Sequence, residues 1–145
     1  MITGELVGRI FFGGDFSKYK IEGVSLTIFL KEITTEGWGL SWSLSNLLLG
    51  SEFVKMKIMP EHKRILGRAN HFRNFCNERV KERMQVVLKD KTKLRNNSLL
   101  DQLILSTIEN PNFTEEDITD EFATFCAAGM DTTGHTIAMC TYYYL

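Results

Sequence analysis

Proline, cysteine and long hydrophobic runs are all scarce in this 145-residue chain. With 2 prolines and 11 glycines, it is neither collagen-like nor of low complexity. The 3 cysteines are an odd number at no metal-like spacing, so neither a disulfide framework nor a zinc site is indicated. The longest uncharged stretches, residues 37–51 and 132–145, are shorter than the roughly 18 apolar residues that a membrane span needs. The first residues also lack the basic start of a signal peptide.

The composition is that of one soluble globular domain or part of a larger one, with 43% apolar residues and a net charge of −1. The charge is unevenly distributed along the chain. Residues 55–95 hold 13 basic and 4 acidic side chains, whereas residues 96–145 hold no basic and 8 acidic ones. The basic segment is typical of a solvated helix face, and a surface for anionic lipid or an acidic partner is the alternative. We expect no nucleic-acid binding, because no recognition motif is present.

The hydrophobic periodicity predicts a chain that is nearly all helix. We expect the Gly37-Trp38-Gly39 segment to separate the second predicted helix from the third. Pro60 suits the first turn of the fourth predicted helix. Residues 53–60 alternate in polarity and could form a short strand or an amphipathic loop. The predicted helices cover residues 2–12, 21–34, 40–49, 61–89 and 96–109, followed by a last helix that starts after Thr114.

The last helix has the clearest start signal and the most unusual composition. Residues 114–117 read Thr-Glu-Glu-Asp, which resembles a capping box with acidic residues in the first turn. Beyond it, apolar and small residues occur on nearly every side, which predicts a helix buried all round. A chain of 145 residues does not readily supply that much surrounding protein. The periodicity also continues to the last residue, so we expect an internal fragment of a longer chain.

The segment Gly129-Met130-Asp131-Thr132-Thr133-Gly134 is poorly suited to a helix interior. Its glycines, aspartate and threonines give up about 4 kcal/mol of helix propensity relative to alanine. A short segment of low helix propensity inside an otherwise strong helix is expected at functional sites. The Thr132 hydroxyl can also bond the carbonyl of Ala128, four residues earlier. We therefore expect a bulge or kink here that exposes backbone polar groups to a cavity.

Two interpretations of Asp131 stay open at this point. In the first, Asp131 contacts His135 one turn later and Thr132 is local packing. In the second, Asp131 and Thr132 form an acid–alcohol pair that relays protons into a dry cavity. A flat ligand could lie against one small and partly polar line of the same helix. That line consists of Thr124, Ala128, Thr132 and Thr136.

The segment Ala128–Thr133 resembles the central oxygen-activation motif of cytochrome P450s, Ala/Gly-Gly-x-Asp/Glu-Thr-Thr/Ser. The approach to it, Asp-Glu-Phe at 120–122 and Ala-Ala-Gly at 127–129, also resembles the family. So do residues 98–103, which are similar to the segment before the long central helix, and residues 6–13, which are similar to an earlier helix ending in Phe-Gly. The resemblance implies a mainly α fold in which residues 1–145 are a partial P450 domain, truncated at both ends.

In this family the central helix crosses over a haem. The resemblance therefore implies that Ala128, Gly129 and Thr133 bind the cofactor, with the first two against the porphyrin and the oxygen pocket. Thr132 would hold dioxygen or water through its hydroxyl. Asp131 would feed protons from solvent toward the bound oxygen. These two residues are the implied catalytic pair.

The resemblance further implies a reaction and its partners. A haem-thiolate monooxygenase inserts one atom of dioxygen into an apolar organic substrate, with electrons from a reductase. Thr124 and Ala127 would contact that substrate. Residues 47–59 would form a mobile lid over the access channel, which in this family often lies against a membrane. In a eukaryote the parent protein would belong to the endoplasmic reticulum membrane.

The family's axial cysteine lies in a Phe-x-x-Gly-x-x-x-Cys loop that this chain lacks. The chain therefore provides no protein ligand to the iron, and activity would belong to the parent protein. The alternatives are a non-catalytic helical interaction module and a degenerate P450 product that binds no haem.

Several further side chains are given structural roles by their patterns. Small core residues are expected at Cys76, Cys126 and Cys140. Solvated or capping side chains are expected at His62 and His71. Packing in the core or the lid is expected at Trp38 and Trp42.

Overall fold

The structure is a computed structural model that describes residues 2–11, 13–14, 18–90, 98–110 and 112–144. It confirms a mainly α fold. Predictions that involve Phe12, Asn96 or Pro111 lie outside the described residues. The elements are α1 (Ile2–Phe11), β1 (Lys20–Ile21), β2 (Val24–Ser25), α2 (Leu26–Ser41), α3 (Leu44–Lys55), α4 (Pro60–Lys89), α5 (Leu99–Glu109) and α6 (Glu115–Tyr144).

A small hairpin precedes α2, so the prediction that a helix begins at residue 21 is wrong. Strands β1 and β2 pair antiparallel, with Lys20 opposite Ser25. The two turn residues, Glu22 and Gly23, have φ angles of 53° and 80°. Two consecutive positive φ angles are typical of tight hairpin turns, and a glycine at the second position favours them. The turn therefore delays the helix to Leu26.

The predicted break at Gly37-Trp38-Gly39 is also wrong, because α2 continues through it to Ser41. Glycine weakens a helix interior by only about 1 kcal/mol, and tertiary contacts can outweigh that cost. Helix α3 begins after Ser43, whose Oγ accepts a hydrogen bond from the Asn46 backbone nitrogen at 3.3 Å. It is kinked at Gly50, which has a φ of 75°.

Residues 53–60 form neither the predicted strand nor a simple loop. Helix α3 extends to Lys55, residues 56–59 make a turn, and Pro60 starts α4 as predicted. The long helix expected at 61–89 is confirmed. Its predicted apolar stripe is buried at Phe72, Cys76 and Val80. Further toward the N-terminus of α4 the stripe becomes more accessible, and Ala69 is exposed.

The core forms where α6 packs against α4 and α1, with α2 and α5 closing the sides. Helix α6 begins as predicted, since Asp117 Oδ2 accepts from the Thr114 backbone nitrogen and the Asp117 nitrogen donates to Thr114 Oγ1. The Thr114 hydroxyl and the Thr114 backbone nitrogen both donate to Asp117 Oδ2, and together they hold the pKa of that carboxyl below its usual value. The core-facing residues of α6 are Ile118, Thr119, Phe122, Cys126 and Met130.

The expectation that α6 is buried on all sides is wrong within the described residues. Its C-terminal half is exposed, with Tyr142 and Tyr143 about three-quarters accessible. The buried side chains all lie in its first sixteen residues. Within the described ranges, no helix combines the length and hydropathy that crossing a membrane would require.

The uneven charge of the chain is explained by ion pairs between helices. Arg73 of α4 pairs with Asp120 and Glu116 of α6, at 2.6 and 2.8 Å. Arg83 of α4 makes two hydrogen bonds, of 2.7 and 2.6 Å, with the carboxylate of Asp101 in α5. The basic face of α4 is therefore in large part matched by acidic residues of the same chain, and is not simply solvated.

The pair between Arg83 and Asp101 yields a stability prediction, because the side chain of Asp101 is only 1% exposed and that of Arg83 18%. Asp101→Asn leaves a poorly hydrated guanidinium without its counter-charge, so the free energy of unfolding should fall by about 3 kcal/mol. Urea denaturation followed by circular dichroism measures it. Glu52→Gln, which removes an exposed pair with Lys55, should change it by less than about 0.5 kcal/mol. Equal losses from the two variants would contradict the prediction.

Candidate functional site

An apolar groove of about 500 Å³ lies between α2, α4 and α6. It is open to solvent on one side. Its walls come from three helices that are distant in sequence but adjacent in the fold. The lining residues are Leu30, Ile33, Thr34, Gly37, Trp38, Ser41, Ala69, Phe72, Ala127, Ala128, Asp131 and Thr132.

Helix α6 contributes Ala127, Ala128, Asp131 and Thr132 to this groove. These positions are spaced so that they share one face of a helix. The structure therefore brings together both predicted catalytic residues, one predicted cofactor-binding residue and one predicted substrate-binding residue.

The predicted bond of Thr132 is confirmed, but the predicted kink is wrong. Thr132 Oγ1 donates to the carbonyl oxygen of Ala128 at 2.8 Å. Helix α6 is nevertheless continuous from Glu115 to Tyr144. A carbonyl oxygen has two lone pairs, so it can accept the hydroxyl in addition to a backbone N–H. The polar groups that face the groove are consequently side chains rather than freed backbone.

Asp131 fits both interpretations of its role. Its side chain is 32% accessible, and its Oδ1 lies 3.5 Å from Nδ1 of His135. The same nitrogen donates to the Asp131 carbonyl oxygen at 3.0 Å. The simple i, i+4 contact is thus present, and the carboxylate also lines the groove. The carboxylate can therefore exchange protons with solvent and with a molecule in the groove.

Gly129 points away from the groove, toward α1. A Cβ atom at this position would lie 3.0 Å from Phe11 Cε2 and 3.9 Å from Val7 Cγ2. The close approach of α1 is therefore a sufficient reason for glycine here. Thr133 is exposed on α6. Thr124 is also exposed and donates to the Asp120 carbonyl at 2.8 Å, two turns before Thr132 and outside the groove lining.

Helix α2 supplies groove residues that the sequence analysis missed. Thr34 donates to the Leu30 carbonyl at 2.6 Å, and Ser41 donates to the Gly37 carbonyl at 2.9 Å. Both hydroxyl protons are thus donated within the helix, as at Thr132, and the hydroxyl oxygens keep their acceptor capacity. Trp38 is 58% exposed and lines the groove rather than a core. The recurrence of small and hydroxyl residues along one face of α2 was the available signal.

Three other expectations need correction. His62 is 1% exposed, not solvated, because it is enclosed where α3 meets α4 with its ring edge-to-face on Phe53. Trp42 is 79% exposed, because it follows the end of α2. Cys140 is exposed, because it lies on the uncovered half of α6. His71 is exposed as expected, and its Nδ1 lies 2.6 Å from Glu22 Oε1.

The cysteines bear directly on whether this chain can ligate a haem iron. Burial raises the pKa of Cys76 to about 12 and that of Cys126 well above its usual value. Both are therefore neutral core thiols, as expected, and neither offers a thiolate. No cluster of three potential metal ligands occurs among the described residues. Cys140 differs from Cys76 and Cys126 because it is exposed, on the C-terminal half of α6.

The comparisons with known proteins agree with the motif. The family model described as Cytochrome P450 matches residues 2–145. A search of solved structures found no match.

The close approach of Phe11 to Gly129 yields a prediction about the packing of α1 on α6. Gly129→Leu forces a side chain against the Phe11 ring, so the free energy of unfolding should fall by about 2 kcal/mol. Gly37→Leu places the same side chain into open space and should not lower it. Urea unfolding of both variants measures the difference. Equal stability of the two variants would show that α1 does not approach α6 as described.

Proposed function

The chain belongs to the cytochrome P450 family of haem-thiolate monooxygenases, and from that membership we propose that its helices form the distal wall of the oxygen-activation site. The observation that carries the proposal is that the motif residues Asp131 and Thr132 line the same groove as apolar residues of α2 and α4. A non-catalytic helical module would not require an acid and an alcohol at that position. A degenerate product would lack the haem that this wall is built to face.

The substrate is an uncharged apolar molecule of moderate size. Leu30, Ile33, Trp38 and Phe72 give the groove walls that bury hydrocarbon, and a volume of about 500 Å³ is in the range of ordinary ligand sites. The hydroxyls of Thr34 and Ser41 donate to their own helix, so toward the groove they can only accept hydrogen bonds, and the rest of the lining is mostly apolar. Affinity therefore comes from apolar burial and shape. Dioxygen and a reductase complete the set of partners that the family uses.

The haem fits the exposed face of α6. Ala128 and Thr132 are exposed there with small side chains, and a flat ring can approach a helix only where side chains are small. Thr133 is exposed beside this face, whereas Gly129 packs toward α1. Ala127 lines the groove and would reach the substrate, and Thr124 lies outside the lining. When bound, the haem iron supplies the oxygen chemistry. Its axial thiolate would come from a part of the full-length protein outside the described residues.

The two motif side chains hold and move protons. Because the Thr132 hydroxyl donates to the Ala128 carbonyl, its oxygen faces the groove as a hydrogen-bond acceptor. It can therefore hold a proton-donating water or ligand in place. The Asp131 carboxylate reaches both solvent and groove and can deliver the proton. His135, 78% exposed and 3.5 Å from Asp131 Oδ1, is the solvent-side member of this relay.

Residues 47–59 are the access lid and the membrane contact in this proposal. Leu47 and Leu48 are 76% and 72% exposed, and Met56 and Ile58 are also exposed. Exposed apolar groups in one segment mark interaction sites. Lys57 and Lys63, which are exposed on either side of Pro60, suit an anionic lipid surface. In a eukaryotic cell this surface would be the endoplasmic reticulum membrane.

The proton relay predicts how two variants of the haem-loaded full-length protein behave with its reductase. Thr132→Ala should raise the ratio of released hydrogen peroxide to product several-fold, because the proton donor is no longer held. Asp131→Asn should lower kcat at least tenfold with little change in KM, because it removes proton delivery but leaves substrate binding intact. Oxygen-consumption and product assays measure both effects.

Thr141→Ala is the matched control for this test. Thr141 lies on the same helix and makes the same kind of bond, to the Ile137 carbonyl at 2.8 Å, but it is outside the groove. Its coupling ratio should equal that of the unmodified protein. An unchanged ratio in Thr132→Ala, or a pure KM defect in Asp131→Asn, would contradict the assigned roles.

The lid predicts measurable binding to membranes. Replacing Leu47 and Leu48 together by serine should lower co-sedimentation with phosphatidylserine-containing vesicles several-fold, because apolar insertion is lost. Ile28→Ser removes a side chain that is 49% exposed on α2, away from the lid, and should leave binding unchanged. If both changes have the same effect, residues 47–59 are not the contact.

A further inference from the structure

Trp38 is the large residue of the groove that the protein leaves most uncovered. It lies within α2 and is 58% exposed, whereas Leu30 and Phe72 of the same lining are 0% and 6% exposed. Its chain neighbours Gly37 and Gly39 carry no side chain, and a Cβ atom at either would meet open space. The indole therefore presents a large apolar surface at the groove that neither chain neighbour covers.

The indole of Trp38 also has no aromatic partner among the described residues, and the same holds for the ring of Phe72. The ring pairs found there are Phe11–Phe125, Tyr19–Phe75, Phe53–His62 and Tyr142–Tyr143. Aromatic rings gain free energy from stacking beyond the gain from burying their area. An uncovered and unpaired tryptophan in an apolar groove is therefore suited to a ring that a ligand supplies.

Small residues from all three helices give the groove a low surface. Gly37 of α2 and Ala69 of α4 carry at most a methyl group, as do Ala127 and Ala128 of α6. A planar ring can rest its whole face on such a surface, whereas a puckered ring touches it with only part of its atoms. Because dispersion attraction requires close contact, a flat molecule gains more from this surface than a puckered one.

We propose that the groove selects planar aromatic substrates, which stack on the indole of Trp38. Trp38 is then a specificity-determining residue, whereas Leu30 and Ile33 add apolar burial without a preference for flat molecules. The inference rests on the proposed function, because it takes the groove as the substrate site. It narrows the substrate from any apolar molecule of suitable size to one with a flat aromatic ring system.

Stacking and simple burial predict opposite orders of affinity for two matched hydrocarbons. Naphthalene and cis-decalin share the same skeleton of fused rings, but decalin is saturated and puckered. Decalin exposes more apolar surface to water, so burial alone favours decalin. Stacking on Trp38 should instead make naphthalene bind about fivefold more tightly than decalin.

Binding of both hydrocarbons to the intact full-length protein tests the proposal. Headspace gas chromatography over the protein solution measures the free hydrocarbon, and hence the dissociation constant of each. Trp38→Leu keeps an apolar side chain but removes the ring, so it should abolish or reverse the preference for naphthalene. Trp38→Phe keeps an aromatic ring and should retain most of the preference.

Trp42→Leu is the matched control. Trp42 follows the end of α2, is 79% exposed and lies outside the groove lining. This variant should keep the full preference for naphthalene. Both tryptophans are largely exposed, so none of these changes should unfold the protein, and circular dichroism checks this.

A preference for naphthalene that is lost in Trp38→Leu and kept in Trp38→Phe and Trp42→Leu supports the proposal. Binding of neither hydrocarbon, equal or tighter binding of decalin, or a preference that survives in Trp38→Leu or disappears in Trp42→Leu overturns it. These measurements require no turnover. The predicted preference in a protein without monooxygenase activity would contradict the proposed function alone, whereas turnover without the preference would contradict this inference alone.

Discussion

The close packing of α6 on α1 and α4 is the constraint on which the rest of the structure depends. One side of α6 must be buried for the chain to have a core, so Phe122, Cys126 and Met130 point inward. Gly129 lets α1 approach to the distance at which a Cβ would touch Phe11. With that side committed, Ala128, Asp131 and Thr132 necessarily point the other way, toward the groove. The motif residues thus divide between the side that packs on α1 and the side that lines the groove.

Charge pairing sets where the second wall of the groove lies. Arg73 and Arg83 anchor α4 to the acidic helices α6 and α5. On the far side, Arg68 lies 2.7 Å from Glu32 of α2 and 4.7 Å above the Phe29 ring. Helix α4 is therefore held between α2 and α6, and Phe72 reaches the groove between them. Among the described residues, the basic α4 is thus joined to the acidic α6 and α5 by opposite charges.

The sequence was sufficient for the helices with strong periodicity and clear end signals. Pro60 and the Thr114–Asp117 capping box mark the starts of α4 and α6 because their effects are local. Gly37 and Gly39 were misleading, since neighbouring helices outweigh a small loss of propensity. The kink predicted at Thr132 is absent, because a carbonyl oxygen can accept the threonine hydroxyl and a backbone N–H at the same time. The burial of His62 and the contribution of α2 to the groove depend on distant contacts that periodicity does not report.

The central claim is that the Ala128 face of α6 receives the oxygen-activating haem. The most direct measurement is the carbon monoxide difference spectrum of the reduced full-length protein carrying Ala128→Phe or Ala128→Ser, with circular dichroism as the check on folding. The account predicts a thiolate-haem band in the serine variant and a band weakened several-fold in the phenylalanine variant, because only the larger side chain obstructs a flat ring. An equally strong band in a well-folded Ala128→Phe protein would contradict the account.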